Sequence, residues 1–293
     1  MDDKSPEPSY LKQPNMRIDS HHHFWNYSPT EYGWINDQMS VLRRDFGPKD
    51  LQHVMAESKI DRVVSVQARQ TLEETKWLID LAKDNPFIAG VVGWVPLAND
   101  QITAELESLS AHKKLKAVRH VVQDESDDRF ILGDAFNRGI SQLKRYNLVY
   151  DILIYARQLP ASIEFVDRHP EQQFVLDHIA KPTIHRDLFD DEWARNMREL
   201  GRRKNVACKF SGVATEVHDP EWTVDTIRPY WDVALEAFGP KRLMYGSDWP
   251  VCLLKTDYRR WVSAVEELTS KLSAHEQASF WSQTAIQAYS LES

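Results

Sequence analysis

Short β-branched apolar runs alternate with longer stretches of helical periodicity along most of the chain. Eight runs read as strands: MRIDSHH from Met16, RVVSVQA from Arg62, IAGVVGWV from Ile88, LKAVRHVV from Leu115, LVYDILIY from Leu148, QFVLDHI from Gln173, NVACKFSG from Asn205 and RLMYGSD from Arg242. Between them, TLEETKWLIDLAKDN from Thr71 sets Leu72, Trp77, Leu78 and Leu81 roughly along one stripe, and it opens like a capping box, Thr71 to Glu74. Further helical stretches begin at Asp134, Leu159, Asp191 and Pro220, and Pro229 is expected to bend or break the last of these. Strands alternating with helices imply parallel strands joined by crossovers. An open doubly wound sheet is the competitor. It would normally carry a G-x-G-x-x-G first turn, whereas the first strand here runs into histidines. The expected fold is therefore α/β, a single (β/α)8 TIM barrel over residues 16–293, preceded by a flexible tail over residues 1–15.

The bulk properties narrow the function classes. The 293 residues suffice for one large core, and the net charge of −8 comes from intermixed acidic and basic residues. No basic groove for nucleic acid is visible. No apolar run approaches the ~20 residues of a membrane span. The polar, proline-rich start lacks the features of a signal peptide. Two cysteines, Cys208 and Cys252, fit packing in a reducing compartment better than a disulfide framework, so a cytoplasmic location is expected. A homo-oligomer is left open.

Catalytic groups of such barrels come from the carboxyl ends of the strands. Here those ends are rich in polar residues: Asp19 and His21 to His23 on the first, Arg119, His120, Gln123 and Glu125 on the fourth, Asp177 and His178 on the sixth, Lys209 and Ser211 on the seventh, Asp248 on the eighth. Alternation along a strand sends His21 and His23 to one side, the barrel mouth, and His22 to the other, the surrounding helices. Paired neutral imidazoles can hold a divalent metal or polarise a carbonyl. In YGSDWP, Gly246 is expected to relax the backbone ahead of Asp248, with Pro250 ending the element. Trp25, Trp34, Trp94 and Trp249 are candidates for an aromatic wall around a bound substrate, and Arg119, Gln123 and Glu125 for contacts to its polar groups; pairing of Arg119 with Glu125, or helix capping by either, is the equal alternative. Lys181 either reaches the mouth or sits in a loop, with the loop slightly favoured. The aromatic-rich segment Phe24 to Ile35 is expected to cover the site.

RIDSHHHFW, GVVGWVPL, VRHVVQDE, VLDHIAKP, CKFSGV and LMYGSDWPVC, in order and at barrel-strand intervals, resemble the amidohydrolase superfamily, and within it the amidohydrolase-2 group of sugar-acid lactonases. The resemblance implies metal or catalytic roles for His21, His23, His178 and Asp248, and hydrolysis of a sugar lactone, a small-molecule substrate. Asp248 would activate water, and His178 would ligate the metal or hydrogen-bond the carbonyl. The bridging carboxylated lysine of binuclear relatives has no counterpart, so one divalent ion, zinc or similar, or none, is implied. A metal-dependent decarboxylase on the same barrel and a non-catalytic sugar-acid-binding barrel are the alternatives.

Overall fold

All eight apolar runs become strands of one parallel sheet, ordered around the barrel as they are in sequence. They are β1 (Ile18–His22), β2 (Arg62–Val66), β3 (Ile88–Gly93), β4 (Leu115–Val121), β5 (Val149–Leu153), β6 (Phe174–Leu176), β7 (Val206–Phe210) and β8 (Leu243–Tyr245). The computed structural model describes residues 16–292, so the tail expected over residues 1–15 lies outside the described residues. The seam between β8 and β1 closes just past the strand ends: Asp248 N–H donates to the His21 carbonyl at 2.8 Å and His23 N–H to the Trp249 carbonyl at 2.7 Å. The helices are α1 (Pro48–Ser58), α2 (Leu72–Asp84), α3 (Ile102–Ser110), α4 (Asp134–Leu143), α5 (Leu159–Arg168), α6 (Asp191–Gly201), α7 (Val224–Phe238), α8 (Tyr258–Thr269), α9 (Ala274–Ala278) and α10 (Thr284–Tyr289). No helix is long and apolar enough to cross a membrane.

Two local expectations change. Helix α7 continues through Pro229. The next two residues, Tyr230 and Trp231, are buried, and Trp231 packs edge-on against Phe210 and Phe280. This tertiary packing holds the helix across the lost backbone hydrogen bond, whose cost in isolation is ~3 kcal/mol. At α2, Thr71 Oγ1 accepts from Glu74 N–H, but Glu74 does not complete the box. Its buried carboxylate turns instead to the loop after β2 and accepts from the N–H groups of Ala68 and Arg69 at 2.9 and 2.6 Å.

Inside the barrel the strands contribute side chains in layers. Val64, Ala117, Val149, Val175, Ala207 and Met244 form an apolar layer, packed from below by Ile286, Tyr289 and Leu291 of the C-terminal segment. Two residues further along four of these strands stand Arg119, Asp151, Asp177 and Lys209, all buried. Alternation carries these side chains to the same interior face, one layer nearer the mouth.

β1 reaches that layer through a bulge. Between Asp19 and His22 it advances three residues while β2 advances two, Val63 to Ser65. Ile18 lies in the interior layer, so unbroken alternation would have turned His22 inward. The extra residue turns His21 and His23 inward and His22 outward, where its Nε2 meets Ser65 Oγ at 2.8 Å. Asp19 pins the bulge. Its carboxylate accepts from His21 N–H at 3.1 Å, Ser247 N–H at 2.8 Å and the Tyr258 hydroxyl on α8 at 3.0 Å.

Burial lifts the Asp19 pKa to about 6 despite those hydrogen bonds. The protonated form is thus favoured in the folded chain. The stabilisation is full below the unfolded pKa of 3.8 and is lost as pH rises through about 6. A shift of this size is worth ~3 kcal/mol. Asp19→Asn should flatten the fall in unfolding free energy across this window, measured by denaturant titration at several pH values. Parallel curves for wild type and variant would refute the assignment.

Candidate active site

Four side chains converge at the mouth. His21 and His23 leave β1, His178 follows β6, and Asp248 follows β8. His21 Nε2 lies 3.2 Å from His23 Nε2, and Asp248 Oδ1 lies 3.4 Å from His23 Nε2, 3.8 Å from His21 Nε2 and 4.0 Å from His178 Nε2. The far nitrogens are held from behind. His23 Nδ1 faces the Val66 carbonyl at 2.8 Å, and His178 Nδ1 faces Ser211 Oγ at 2.9 Å. A ring nitrogen facing a carbonyl carries a proton, so His23 Nδ1 is the donor to Val66 and the ring is oriented with Nε2 toward the mouth.

The backbone at this floor is unusual. Asp248 has φ 58°, and His178, Ile179, Ala180 and Lys181 form a run of four left-handed residues with φ between 46° and 60°. Left-handed conformation costs a non-glycine residue ~1–2 kcal/mol, and such strain collects at functional sites. Gly246 serves differently from expectation. The left-handed residue is Asp248 itself, while Gly246 supplies space: a Cβ there would stand 2.8 Å from Ser211 Cβ and 2.9 Å from His21 Cβ. Gly212, not singled out in the sequence, matters on both counts. Its φ is +65°, and a Cβ would meet His178 Nδ1 at 2.7 Å and Asp248 Oδ2 at 3.0 Å. Gly212→Ala should therefore lower kcat by ~10-fold or more by displacing both groups, since misplacement of about 1 Å can cost ~100-fold. Steady-state kinetics on the folded variant, checked by circular dichroism, tests this; wild-type kcat would contradict it.

Burial pulls the His21 imidazole well below the ordinary range, opposed by Asp177. It lowers His178 to about 4, opposed by Asp248 and Asp177. Both rings are neutral near pH 7. For Asp248, burial raises the pKa, but His178 and the hydrogen-bonding His23 outweigh it, and the carboxyl ends below its usual value. An ionised carboxylate among neutral imidazoles can accept a proton from water.

The charged layer beneath supports this arrangement. Lys209 Nζ bridges Asp151 and Asp177 at 2.6 and 2.9 Å and lies 3.3 Å from His21 Nδ1. Arg119 donates to Asp177 Oδ2 at 2.9 Å and to the Gln67 carbonyl at 2.5 Å. Tyr289 reaches Asp151 from the barrel bottom at 2.7 Å. Burial favours the neutral acid at both carboxyls. At Asp177, two cations and His21 overcome it; at Asp151, with one cation, it prevails. The sequence offered one signal for Asp151, a lone acid inside the apolar run LVYDILIY, and none for the partnership with Tyr289.

A cavity of about 870 Å³ opens above the floor. His23, His178 and Asp248 line it, as do Trp34, Arg119 and Gln123 from the expected substrate set. Trp25, Trp94 and Glu125 do not. Trp25 is fully buried, donating Nε1–H to the Arg44 carbonyl at 2.9 Å and pairing through its backbone with Phe46. It anchors the base of the covering loop, whose Thr30, Glu31, Gly33 and Trp34 reach the cavity. Trp94 turns to His120, and Glu125 bonds His120 Nε2 at 2.7 Å rather than Arg119. Trp249 is buried against Phe46. Lys181, for which a loop was slightly favoured, lines the cavity.

The donor set fits one divalent ion. His21, His178 and Asp248 each offer a ligand atom within 4.8 Å of the others, with His23 Nε2 beside them. Ring nitrogens and a carboxylate are ligands zinc accepts. Among the described residues no second such group occurs.

A (β/α)8 barrel with His-x-His on its first strand, a histidine after the sixth and an aspartate after the eighth defines a barrel hydrolase. The chain belongs to the amidohydrolase family, whose model matches residues 18–291. It is 42% identical over 289 residues to an L-fucono-1,5-lactonase of Burkholderia multivorans, covering 94% of this chain and 96% of that one. It is 36% identical to an L-fucono-1,5-lactonase of Burkholderia ambifaria, covering 86% and 87%. A crystal structure of a Burkholderia multivorans amidohydrolase with bound zinc, 41% identical, superposes with a TM-score of 0.89 over 94% of this chain and all of that one.

Proposed function

We propose that the protein hydrolyses a sugar lactone to its aldonic acid. The observation that carries this reading is the ionised Asp248, facing His23 and the neutral His21 and His178 at the floor of a cavity with mixed polar and apolar walls, in a chain similar along its length to lactonases. Asp248 accepts a proton as water attacks the lactone carbonyl. The carbon–ring-oxygen bond then breaks, and Asp248 returns the proton to the leaving oxygen, giving a hydroxy acid. His178 and His23 face the oxygen that gains charge. His21, His178 and Asp248, with His23 adjacent, are the residues that would hold a divalent ion, and such an ion polarises a carbonyl oxygen. Trp34 offers a stacking face, while Arg119 and Gln123 bound the cavity wall. Cytoplasmic residence belongs to the same proposal.

The charge of the wall favours lactone over the acidic substrates of a decarboxylase. Three cations line the cavity, and each already faces a carboxylate: Arg69 faces Glu31 at 2.6 Å, Arg119 faces Asp177 at 2.9 Å and Lys181 faces Glu216 at 3.9 Å. No uncompensated cation among the described residues is left to clamp a substrate carboxylate. A panel of aldonolactones assayed with a pH indicator, on protein of measured metal content, should show acid release. Chelation should lower the bound metal from about one ion per chain and lower the rate with it. No acid release from any lactone, before or after zinc loading, would sink the reading.

A further inference from the structure

Lys181 and Glu216 stand in the cavity wall in an arrangement that invites a third group between them. The ammonium and carboxylate are 3.9 Å apart, beyond the ~2.7–3.2 Å of a direct hydrogen bond. Lys181 Nζ makes no hydrogen bond to any described side chain or carbonyl; the Tyr155 ring lies 5.7 Å away. Each side chain is under one-fifth exposed. The fold places both residues at the cavity wall. Lys181 ends the left-handed run that also places His178, and Glu216 ends the turn Val213–Glu216 after β7. Directly beyond them, Ile184 N–H donates to the Glu216 carbonyl at 3.1 Å and His218 N–H to the Ile184 carbonyl at 2.9 Å. This clip joins the two loops from which the pair projects. The other cavity cations lack such freedom, because Arg69 and Arg119 are held in contacts of 2.9 Å or less.

A sugar hydroxyl is both donor and acceptor, and it can bridge an ammonium donor and a carboxylate acceptor that stand 3.9 Å apart. We propose that Lys181 and Glu216 form a hydroxyl clamp: one ring or side-chain hydroxyl of the lactone accepts from the Lys181 ammonium and donates to the Glu216 carboxylate. The pair is charge-balanced, so it recognises a neutral hydroxyl rather than a carboxylate. It is a specificity-determining subsite beside the reacting centre, and it rests on the lactonase reading.

The test uses L-fucono-1,5-lactone, which carries hydroxyls, and δ-valerolactone, which has the ring and none. Wild type is compared with Lys181→Met, Glu216→Gln and the double variant. Losing a hydrogen bond to a charged group costs ~10- to 100-fold in binding. The ratio of kcat/KM for the two lactones should fall by that factor in either single variant, through KM of the hydroxylated lactone. The double variant should fall little further, because both groups hold one hydroxyl. An unchanged ratio in either single variant would overturn the clamp, as would equal losses on both lactones. Hydrolysis of neither lactone by wild type would instead sink the lactonase reading itself.

Discussion

Asp248→Asn is expected to remove lactone hydrolysis by ~10³-fold or more while the protein stays folded. The rate falls because Asn cannot accept a proton, and positioned acid–base groups contribute ~10²–10⁴-fold. A divalent ion at this site would also lose an anionic ligand. The fold should survive because the contacts that seat residue 248 belong to its backbone: its N–H donates to the His21 carbonyl, and its carbonyl accepts from Cys252 N–H at 2.9 Å. The amide is close in shape to the carboxylate. The measurement is single-turnover acid release, with lactone binding followed separately by calorimetry. Retained binding with lost turnover assigns Asp248 to chemistry. Near-wild-type turnover would remove it from the mechanism. Equal binding by a wild type that hydrolyses nothing would point to a binding protein.

The second large effect lies within the histidine triplet. His21→Ala and His23→Ala should each lower kcat/KM by ~100-fold or more, since both rings face the reacting centre and Asp248 within 4 Å. His22→Ala should keep most activity but lose stability. His22 is fully buried, paired with Ser65 and packed on Phe24 at 4.4 Å. Its removal leaves a cavity and an unpartnered buried hydroxyl, together worth ~1–3 kcal/mol. Kinetics and denaturant unfolding on the three variants separate the two roles. A catalytic loss at His22 matching those at His21 and His23 would mean that the bulge in β1 is wrongly placed.

Much of this was legible in the chain, because alternation and helical periodicity are local. Eight apolar runs separated by helical stretches imply a parallel sheet, since parallel strands need crossovers, and histidines in place of a glycine-rich first turn favour the barrel over an open sheet. The two-residue spacing of His21 and His23 puts them on one face in any strand. GSD at the end of β8 marks Asp248 by position. What the sequence could not decide is where long side chains end up once packed. Trp25 and Glu125 have the right chemistry for a sugar site, yet the base of the covering loop takes one and His120 takes the other. Lys181 looks like a loop lysine until four left-handed residues carry it to the cavity.

By itself, then, the sequence pointed to the barrel through its alternation of strands and helices, and to the four residues expected at its mouth through their places at strand ends and the family resemblance. The tertiary structure decided which way the triplet faces. A one-residue bulge, pinned by Asp19 to Ser247 and Tyr258 from more than 200 residues away, inverts the pleat and turns His21 and His23 inward. It also decided the charges beneath them. Arg119, Asp151 and Lys209 stand on three separate strands and Asp177 just past a fourth, and only barrel closure brings them within hydrogen-bonding distance, where burial makes their pairing obligatory.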